Sequence, residues 1–356
     1  MKSPIFLFGA ALAVAGTVLL SACTPPAASP AGQSAGSNES LVIYSNSASD
    51  GRGEWLKQKA SEAGFTVNLV DLGGGDVMNR LSAEKNNPVA DVTFGLNNVY
   101  LEKLKAQNVL EAYTPSWAGD VDASLADADK QFWPIVREPV MLVFNKAAYA
   151  DAAQAPSDWT DLWSKDAFKG RYEVPTSLGG ATTQMVLAGI LARYADSKGE
   201  LGISQDGWNA VKDYFANGSP AVKGEDLYAR MKAGKVDAGQ MWLAGKASRE
   251  TQYGIQTQAA QPAVGVPFAV QQVALVKGSK KQETAEKFID WFGSADVQAQ
   301  WSVKFFTAPT NKKAAASANQ DAIKQTDAFS RQNIDWALVA KNIDAWVEKI
   351  DLEYRK

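Results

Sequence analysis

The chain opens on one unbroken apolar run, "PIFLFGAALAVAGTVLL", and beyond it the apolar residues come in short bursts whose spacing switches between two periods. "LVIYSN" (41–46) is apolar and β-branched and stops at Ser45, Asn46 and Ser47, which predicts a strand. "GEWLKQKASEAG" then has helical spacing, with Gly64 as its stop. "FTVNLVDL" (65–72) alternates as a strand does, three glycines follow, and "DVMNRLSAEKNN" places Val77, Met78 and Leu81 on one face of a helix beginning at about Asp76. "ADVTFGL" (90–96) and "NVYLEKLKAQN" repeat the pair. Strand and helix in strict alternation predict a parallel sheet with helical crossovers. Ligands of such sheets sit at the carboxyl ends of the strands, so loops 45–47, 73–75 and 96–98 converge on one edge.

"FWPIVREPVMLVFNKAAY" (132–149) is extended but interrupted by Pro134 and Pro139, and prolines confine a strand to an edge or a crossing. A Trp-rich helix, a short strand "RYEVP" and the loop "TSLGGATT" before a strongly apolar helix come next. "DLYARMKAGKVDAGQMWLAGKAS" reads as helix, turn at Gly234 and strand, and "VGVPFAVQQVALVKG" (264–278) as a second crossing. The remainder to Lys356 has amphipathic helical spacing. Two crossings between two α/β halves make a hinge, so the expected fold is an α/β clamshell of two lobes with the ligand between them. The expected division is 41–137 plus 268–356 for the first lobe and 138–267 for the second.

The first apolar run is short for a membrane span; with Lys2 before it and "LSAC" (20–23) after it, residues 1–22 read as a secretory signal peptide. "LSAC" also resembles the lipobox of bacterial lipoproteins, which would make Cys23 the lipidated first residue of the mature chain. Residues 23–40 are rich in Pro, Ala, Ser and Gly and cannot bury a core, so they read as a flexible tether. Cys23 is the one cysteine, and histidine is absent, which removes an intrachain disulfide, histidine-dependent triads and His or Cys metal sites. With 36 Lys plus Arg against 39 Asp plus Glu, nothing supplies the basic face a nucleic acid needs. Eleven tryptophans suit both cores and a cleft gripping a small molecule.

Candidate binding residues follow from the loops. Gly73, Gly74 and Gly75 let a bound oxyanion approach the first amides of a helix, with the dipole behind them; Asp76 either caps that helix or competes with the anion. Ser177, Gly179, Gly180, Thr182 and Thr183 repeat the arrangement in the second lobe, or form a plain N-cap. Ser45, Asn46, Ser47 and Asn97 offer small polar groups at the same sheet edge, or turns that feed the helices. Glu138, on the first crossing, could meet an ammonium or a metal, or pair with a neighbouring base. Trp242 is a cleft wall or core. Gln271 and Gln272 interrupt the second crossing, and alternation sends only one of them, taken as Gln271, toward the cleft.

Taken in order, "LVIYSN … GGGDVMNRLSAEKNNPVADVTFGLN … FWPIVREPVMLVFNK … WTDLWSKDAFKGRYEVPTSLGG … GQMWLAGKA … VPFAVQQVALVKGSKKQETAEKFIDWF" resembles the extracellular solute-binding proteins of bacterial ABC importers. The branch it resembles includes the ferric-ion, hexose-phosphate and 2-aminoethylphosphonate receptors. The resemblance implies a two-lobed receptor, exported and anchored at the outer face of a membrane by its N-terminal lipid. Such a receptor is monomeric, carries no cofactor, closes on its ligand about a hinge, as periplasmic binding proteins do, and passes it to a permease and ATPase. For a ferric receptor it also implies paired tyrosines, and this chain has no adjacent pair, although Tyr44, Tyr172, Tyr228 and Tyr253 are present. A small organophosphorus anion, phosphonate or sugar phosphate, is therefore the favoured ligand and ferric ion the alternative. A secreted lipid-anchored hydrolase is the alternative of another class, with no Ser-x-x-Lys or Gly-x-Ser-x-Gly placed to support it.

Overall fold

The computed structural model describes residues 40–149 and 151–355. The expected signal peptide, Cys23 and all but the last residue of the expected tether lie outside the described residues. Among the described residues no helix is long and apolar enough to cross a membrane.

The first lobe begins with β1 (Leu41–Ser45), α1 (Arg52–Glu62), β2 (Val67–Asp71), α2 (Gly74–Ala83), β3 (Val92–Phe94), α3 (Asn98–Ala106) and β4 (Leu110–Glu111). β1 lies between β2 and β3 and pairs parallel with both, Ile43 facing Leu69 on one side and Val92 on the other. Alternation along β1 feeds two cores. Leu41 and Ile43 pack with Leu56, Phe94 and Trp301 on one face, and Tyr44 packs with Val77, Leu81 and Leu104 on the other. Each such fully buried side chain contributes ~1.5–3 kcal/mol, which holds the three strands in the register that aligns their carboxyl-end loops.

β5 (Trp133–Asn145) is a thirteen-residue strand that leaves this lobe and enters the second. There follow α4 (Asp161–Ser164), β6 (Glu173–Val174), α5 (Ala181–Leu191), β7 (Ala195–Glu200), α6 (Gln205–Ala216), β8 (Ser219–Pro220), α7 (Leu227–Lys232), β9 (Ala238–Trp242), α8 (Leu243–Tyr253) and β10 (Thr257–Ala259). The chain returns along β11 (Phe268–Val276) and ends in α9 (Gln282–Phe292), α10 (Ala295–Phe305), β12 (Ala308–Pro309), α11 (Gln320–Asp327) and α12 (Trp336–Lys349). The first half of β5 pairs with β11 and β12, and its second half with β9 and β10, all antiparallel. Both prolines are accommodated at the crossing: Pro139 faces Phe268, and the ladder slips between Gln271 and Gln272 next to Pro134. β5 therefore crosses as expected, but it does so as an interior strand and not an edge.

The expected lobe division departs from the packing at the C-terminus. Val339, Ile343, Trp346 and Ile350 join Leu187, Trp208 and Tyr214 of the second lobe in one core that also takes in Val99 of α3, and Lys103 Nζ of α3 lies 2.6 Å from Asp344 Oδ1, so α12 packs against both lobes and not against the first alone. Amphipathic spacing announced which face of α12 is buried but not against which lobe. Six of the eleven tryptophans are core: Trp117, Trp133, Trp159, Trp208, Trp301 and Trp346 are all buried.

Candidate ligand-binding cleft

A cavity of about 260 Å³ lies between the lobes, against the crossing strands. It is slightly below the usual ~300–1,000 Å³ of small-molecule sites, which sets a small ligand. A second cavity of about 330 Å³ occupies the other face of β11, lined by Phe268 and Val270 where the first is lined by Ala269 and Gln271. The first gathers a buried cation, a buried carboxylate and two helix starts.

From the first lobe come Asn46, Ser47, Gly73, Gly74 and Asn97; from the crossings Glu138 and Gln271; from the second lobe Gly180, Thr182, Thr183 and Trp242. Five expected residues do not line it. Ser45 is fully buried and its hydroxyl accepts from the Ser47 amide at 2.9 Å, bracing the loop from beneath. Gly75 and Gly179 sit at the rim where the lobes touch; a Cβ on Gly75 would stand 3.3 Å from the Gly179 carbonyl oxygen, which itself accepts from Tyr100 Oη at 3.1 Å. Asp76 and Ser177 are exposed.

α2 starts two residues earlier than the apolar spacing implied, which puts Asp76 in its first turn with the exposed carboxylate folded back beside Gly73, where a Cβ would stand 3.1 Å from Asp76 Oδ2. Gly73 takes the N-cap position with φ −61° and ψ 151°, and no side chain caps the helix. The start of α5 is built alike, with Gly180 as N-cap at φ −74° and ψ 141° and again no side-chain cap. Two uncapped helix starts, one per lobe, thus face one cavity, and helix starts favour anions through their free amides and dipoles. Small residues are needed for the approach. A Cβ on Gly74 would lie 2.8 Å from the Tyr100 ring and 3.1 Å from Asn46 Nδ2. Gly95, at φ +95°, would put a Cβ 2.6 Å from that of Ser47.

Seven lining residues escaped the sequence reading: the apolar Val140, Ala181, Met185 and Ala269, and with them Ser49, Gly95 and Arg52. Arg52 is the most consequential. It is 5% exposed, and among the described residues its guanidinium makes no hydrogen bond; the closest carboxylate is Asp50, 3.8 Å away, and the Phe305 ring centroid lies 5.5 Å from it. One signal was available. Arg52 is the first residue of α1, where the helix dipole disfavours a cation, so an arginine there asks for an anion.

Opposite it, Glu138 is 2% exposed, accepting from Gln271 Nε2 at 2.6 Å and from the Ala244 amide at 3.3 Å, so it caps α8 from a distance. Burial pushes its carboxyl above the ordinary range, against the opposing pull of Arg52 and these two donors. Asn46 Oδ1 is buried without a donor, and Asn97 spends its Oδ1 on the Tyr100 amide at 3.3 Å. The indole of Trp242 carries the Arg249 guanidinium 5.0 Å from its ring centroid. Thr183 accepts from Gln240 Nε2 at 2.8 Å, and Gln272, fully buried, donates to Asn98 instead of facing the cleft. The tyrosines expected of an iron site are elsewhere: the hydroxyl of Tyr44 is on Glu84, that of Tyr172 on the Tyr214 carbonyl and that of Tyr228 against Thr257. Tyr253 is half-buried and lines no part of the cleft.

Residues 47–299 match the family profile described as bacterial extracellular solute-binding protein. A Sinorhizobium fredii protein named "probable ABC transporter periplasmic-binding protein y4fP" is 34% identical over 321 residues, 89% of this chain and 87% of that one. A periplasmic protein of Salmonella typhimurium, named for 2-aminoethylphosphonate binding, is 25% identical over 74% of this chain and 77% of its own. In structure, iron-bound HitA from Pseudomonas aeruginosa superposes with a TM-score of 0.72 at 18% identity, covering 88% of this chain and 99% of HitA. That last likeness concerns the fold.

Proposed function

Because the chain belongs to the bacterial extracellular solute-binding proteins and is the substrate-binding component of an ABC importer, we propose that its cargo is a small phosphonate or phosphate monoester anion. The cargo is caught between the lobes and carried without turnover. One observation carries the reading: Arg52 is a buried guanidinium on the cavity wall with no hydrogen bond to the protein among the described residues. A charge in that position is costly unless an anion meets it. The two uncapped helix starts add amide donors from both lobes, so an oxyanion bound to Arg52, α2 and α5 draws the lobes together.

Glu138 and the unpaired Asn46 Oδ1 supply acceptors at the same cavity. They suit a ligand that also carries an ammonium or hydroxyl group, and so favour a zwitterion such as 2-aminoethylphosphonate, the compound for which the Salmonella relative is named. Ferric ion is disfavoured because the cavity offers no tyrosinate and one carboxylate. Anchoring through a lipid on Cys23 and a monomeric state complete the reading.

Thermal melts of the purified protein with 2-aminoethylphosphonate, ethylphosphonate, hexose phosphates and ferric citrate test it. Stabilisation by the phosphorus compounds is expected. A shift with ferric citrate alone, accompanied by tyrosinate charge-transfer absorption, would overturn it.

A further inference from the structure

Ser47, Gln271, Glu138 and the start of α8 form one line of hydrogen bonds that crosses the hinge. Ser47 Oγ, in the first-lobe loop, donates to Gln271 Oε1 at 2.7 Å. Gln271 Nε2, on β11, donates to Glu138 Oε2, on β5, at 2.6 Å, and the Ala244 amide of α8 donates to Glu138 Oε1 at 3.3 Å. The direction of the line is fixed by chemistry. A flipped Gln271 would set its carbonyl oxygen against a carboxylate oxygen, two acceptors in contact, so its single acceptor must face Ser47 and its donors Glu138.

We infer that Gln271 is a positioning residue for ligand capture. It ties the loop beside Asn46 to the carboxylate that caps the second-lobe helix, so the two lobes meet at one angle about the crossing strands. The link is satisfied at both ends, and each of its three bonds belongs to a different pair of elements: loop to β11, β11 to β5, β5 to α8. Movement of one lobe against the other stretches this line before it disturbs either core. The inference rests on the proposed enclosure of ligand between the lobes, but its readout, the shape of the ligand-free protein, does not depend on which ligand that is.

The test is an exchange of partners. Gln271→Leu removes both bonds. Gln271→Glu sets two carboxyls at the present 2.6 Å contact, which holds only while they share a proton, so the scattering is recorded at alkaline pH, where that proton is lost and the pair repels. Combining Q271E with E138Q restores every bond: the new amide donates to the new carboxylate, Ser47 donates to that carboxylate's other oxygen, and Ala244 donates to the amide's oxygen. In small-angle X-ray scattering of ligand-free protein, Q271L and Q271E are expected to raise the radius of gyration, and Q271E/E138Q to return it to the wild-type value. A residue that merely fills a polar gap would lower the melting temperature without this rescue of shape. A double variant that stays as expanded as Q271E, or a Q271L protein that scatters like wild type, overturns the inference. Should the position-271 variants fail to fold, Ser47→Ala cuts only the first bond and should give a smaller expansion; unchanged scattering there is equally fatal. A wild type that fails to bind 2-aminoethylphosphonate, ethylphosphonate or hexose phosphates counts against the proposed cargo and leaves the scattering result standing.

Discussion

Replacing Arg52 by methionine should separate ligand binding from folding, because the two effects carry opposite signs. The guanidinium is 5% exposed, has no hydrogen bond among the described residues, and has its closest carboxylate at 3.8 Å, beyond hydrogen-bond reach. Such a group is a desolvated charge with weak compensation. Exchanging a buried ion for an apolar side chain of similar volume is often neutral or stabilising by ~1–4 kcal/mol. Against that stands the loss of the contact with Phe305, worth ~1–2 kcal/mol for a desolvated cation over a ring. Ligand-free R52M should therefore melt at or above the wild-type temperature. Binding moves the other way. Truncating one side of a buried, charged hydrogen-bond pair costs ~2–5 kcal/mol, and at ~1.4 kcal/mol per tenfold that is a rise in Kd of roughly 30-fold to several thousand-fold. A phosphonate at ~100 times its Kd stabilises the wild type by ~2.7 kcal/mol. If Kd rises ~100-fold, the same concentration stabilises R52M by only ~0.4 kcal/mol. Paired melts with and without ligand, confirmed by calorimetric titration, make the comparison. An R52M protein that keeps the phosphonate-dependent shift, or one whose ligand-free stability falls by ~3 kcal/mol as a broken structural pair would, refutes the assignment.

Glu138→Gln tests the carboxylate in two ways. Burial holds the Glu138 pKa above that of the unfolded chain, so the wild type has its full stability below about pH 4.3 and loses part of it as pH rises through the folded-state value; E138Q lacks that loss, and urea melts should show its stability gaining on wild type between pH 4 and pH 8. With ligand, E138Q should lose the preference for 2-aminoethylphosphonate over ethylphosphonate, and equal preference in both proteins would remove Glu138 from ammonium recognition. Tyr100→Phe deletes the bond from its hydroxyl to the Gly179 carbonyl across the rim, which should cost ~0.5–1.5 kcal/mol of closure and raise Kd about two- to tenfold, measured by titration; an unchanged Kd would mean the rim contact opposes nothing. Cys23→Ser should move the exported protein from the membrane pellet to the soluble fraction, and continued sedimentation with membranes would exclude a lipid at that position.

Element type was legible wherever period and burial agreed. β1 to β3 and α1 to α3 follow from spacing because each strand is covered on both faces and each helix on one. The crossing at β5 was legible from Pro134 and Pro139: Pro134 stands at the slip in the β11 ladder, and Pro139 at the point where the strand on the other side of β5 changes from β12 to β9. Errors arose where apolar spacing is silent. It placed the start of α2 at Asp76, the first residue with a side chain to count, whereas Gly73 and Gly74 carry the turn and put Asp76 outside the cavity. It could not say that α12 packs against both lobes, on α3 as well as on the second lobe's core, because an amphipathic face does not name its partner.

The cleft divides along the same line. Asn46, Gly73, Gly180 and Thr183 could be found because each stands at the end of a strand or the start of a helix, and the topology of a parallel sheet brings those ends together. What ties the lobes could not. Ser47 and Gln271 are 224 positions apart and Gln271 and Glu138 are 133 apart, and although the sequence brings each of them to the cleft, nothing in it pairs one with another. Arg52 lies between these cases. Its place in the first turn of α1 runs against the helix dipole, and a residue that is locally wrong is the kind of signal that marks a site whose compensation comes from elsewhere. The local cost is met if the missing partner is the ligand, which is why the same arginine is both the hardest residue of the cleft to explain as structure and the one whose removal should most damage binding.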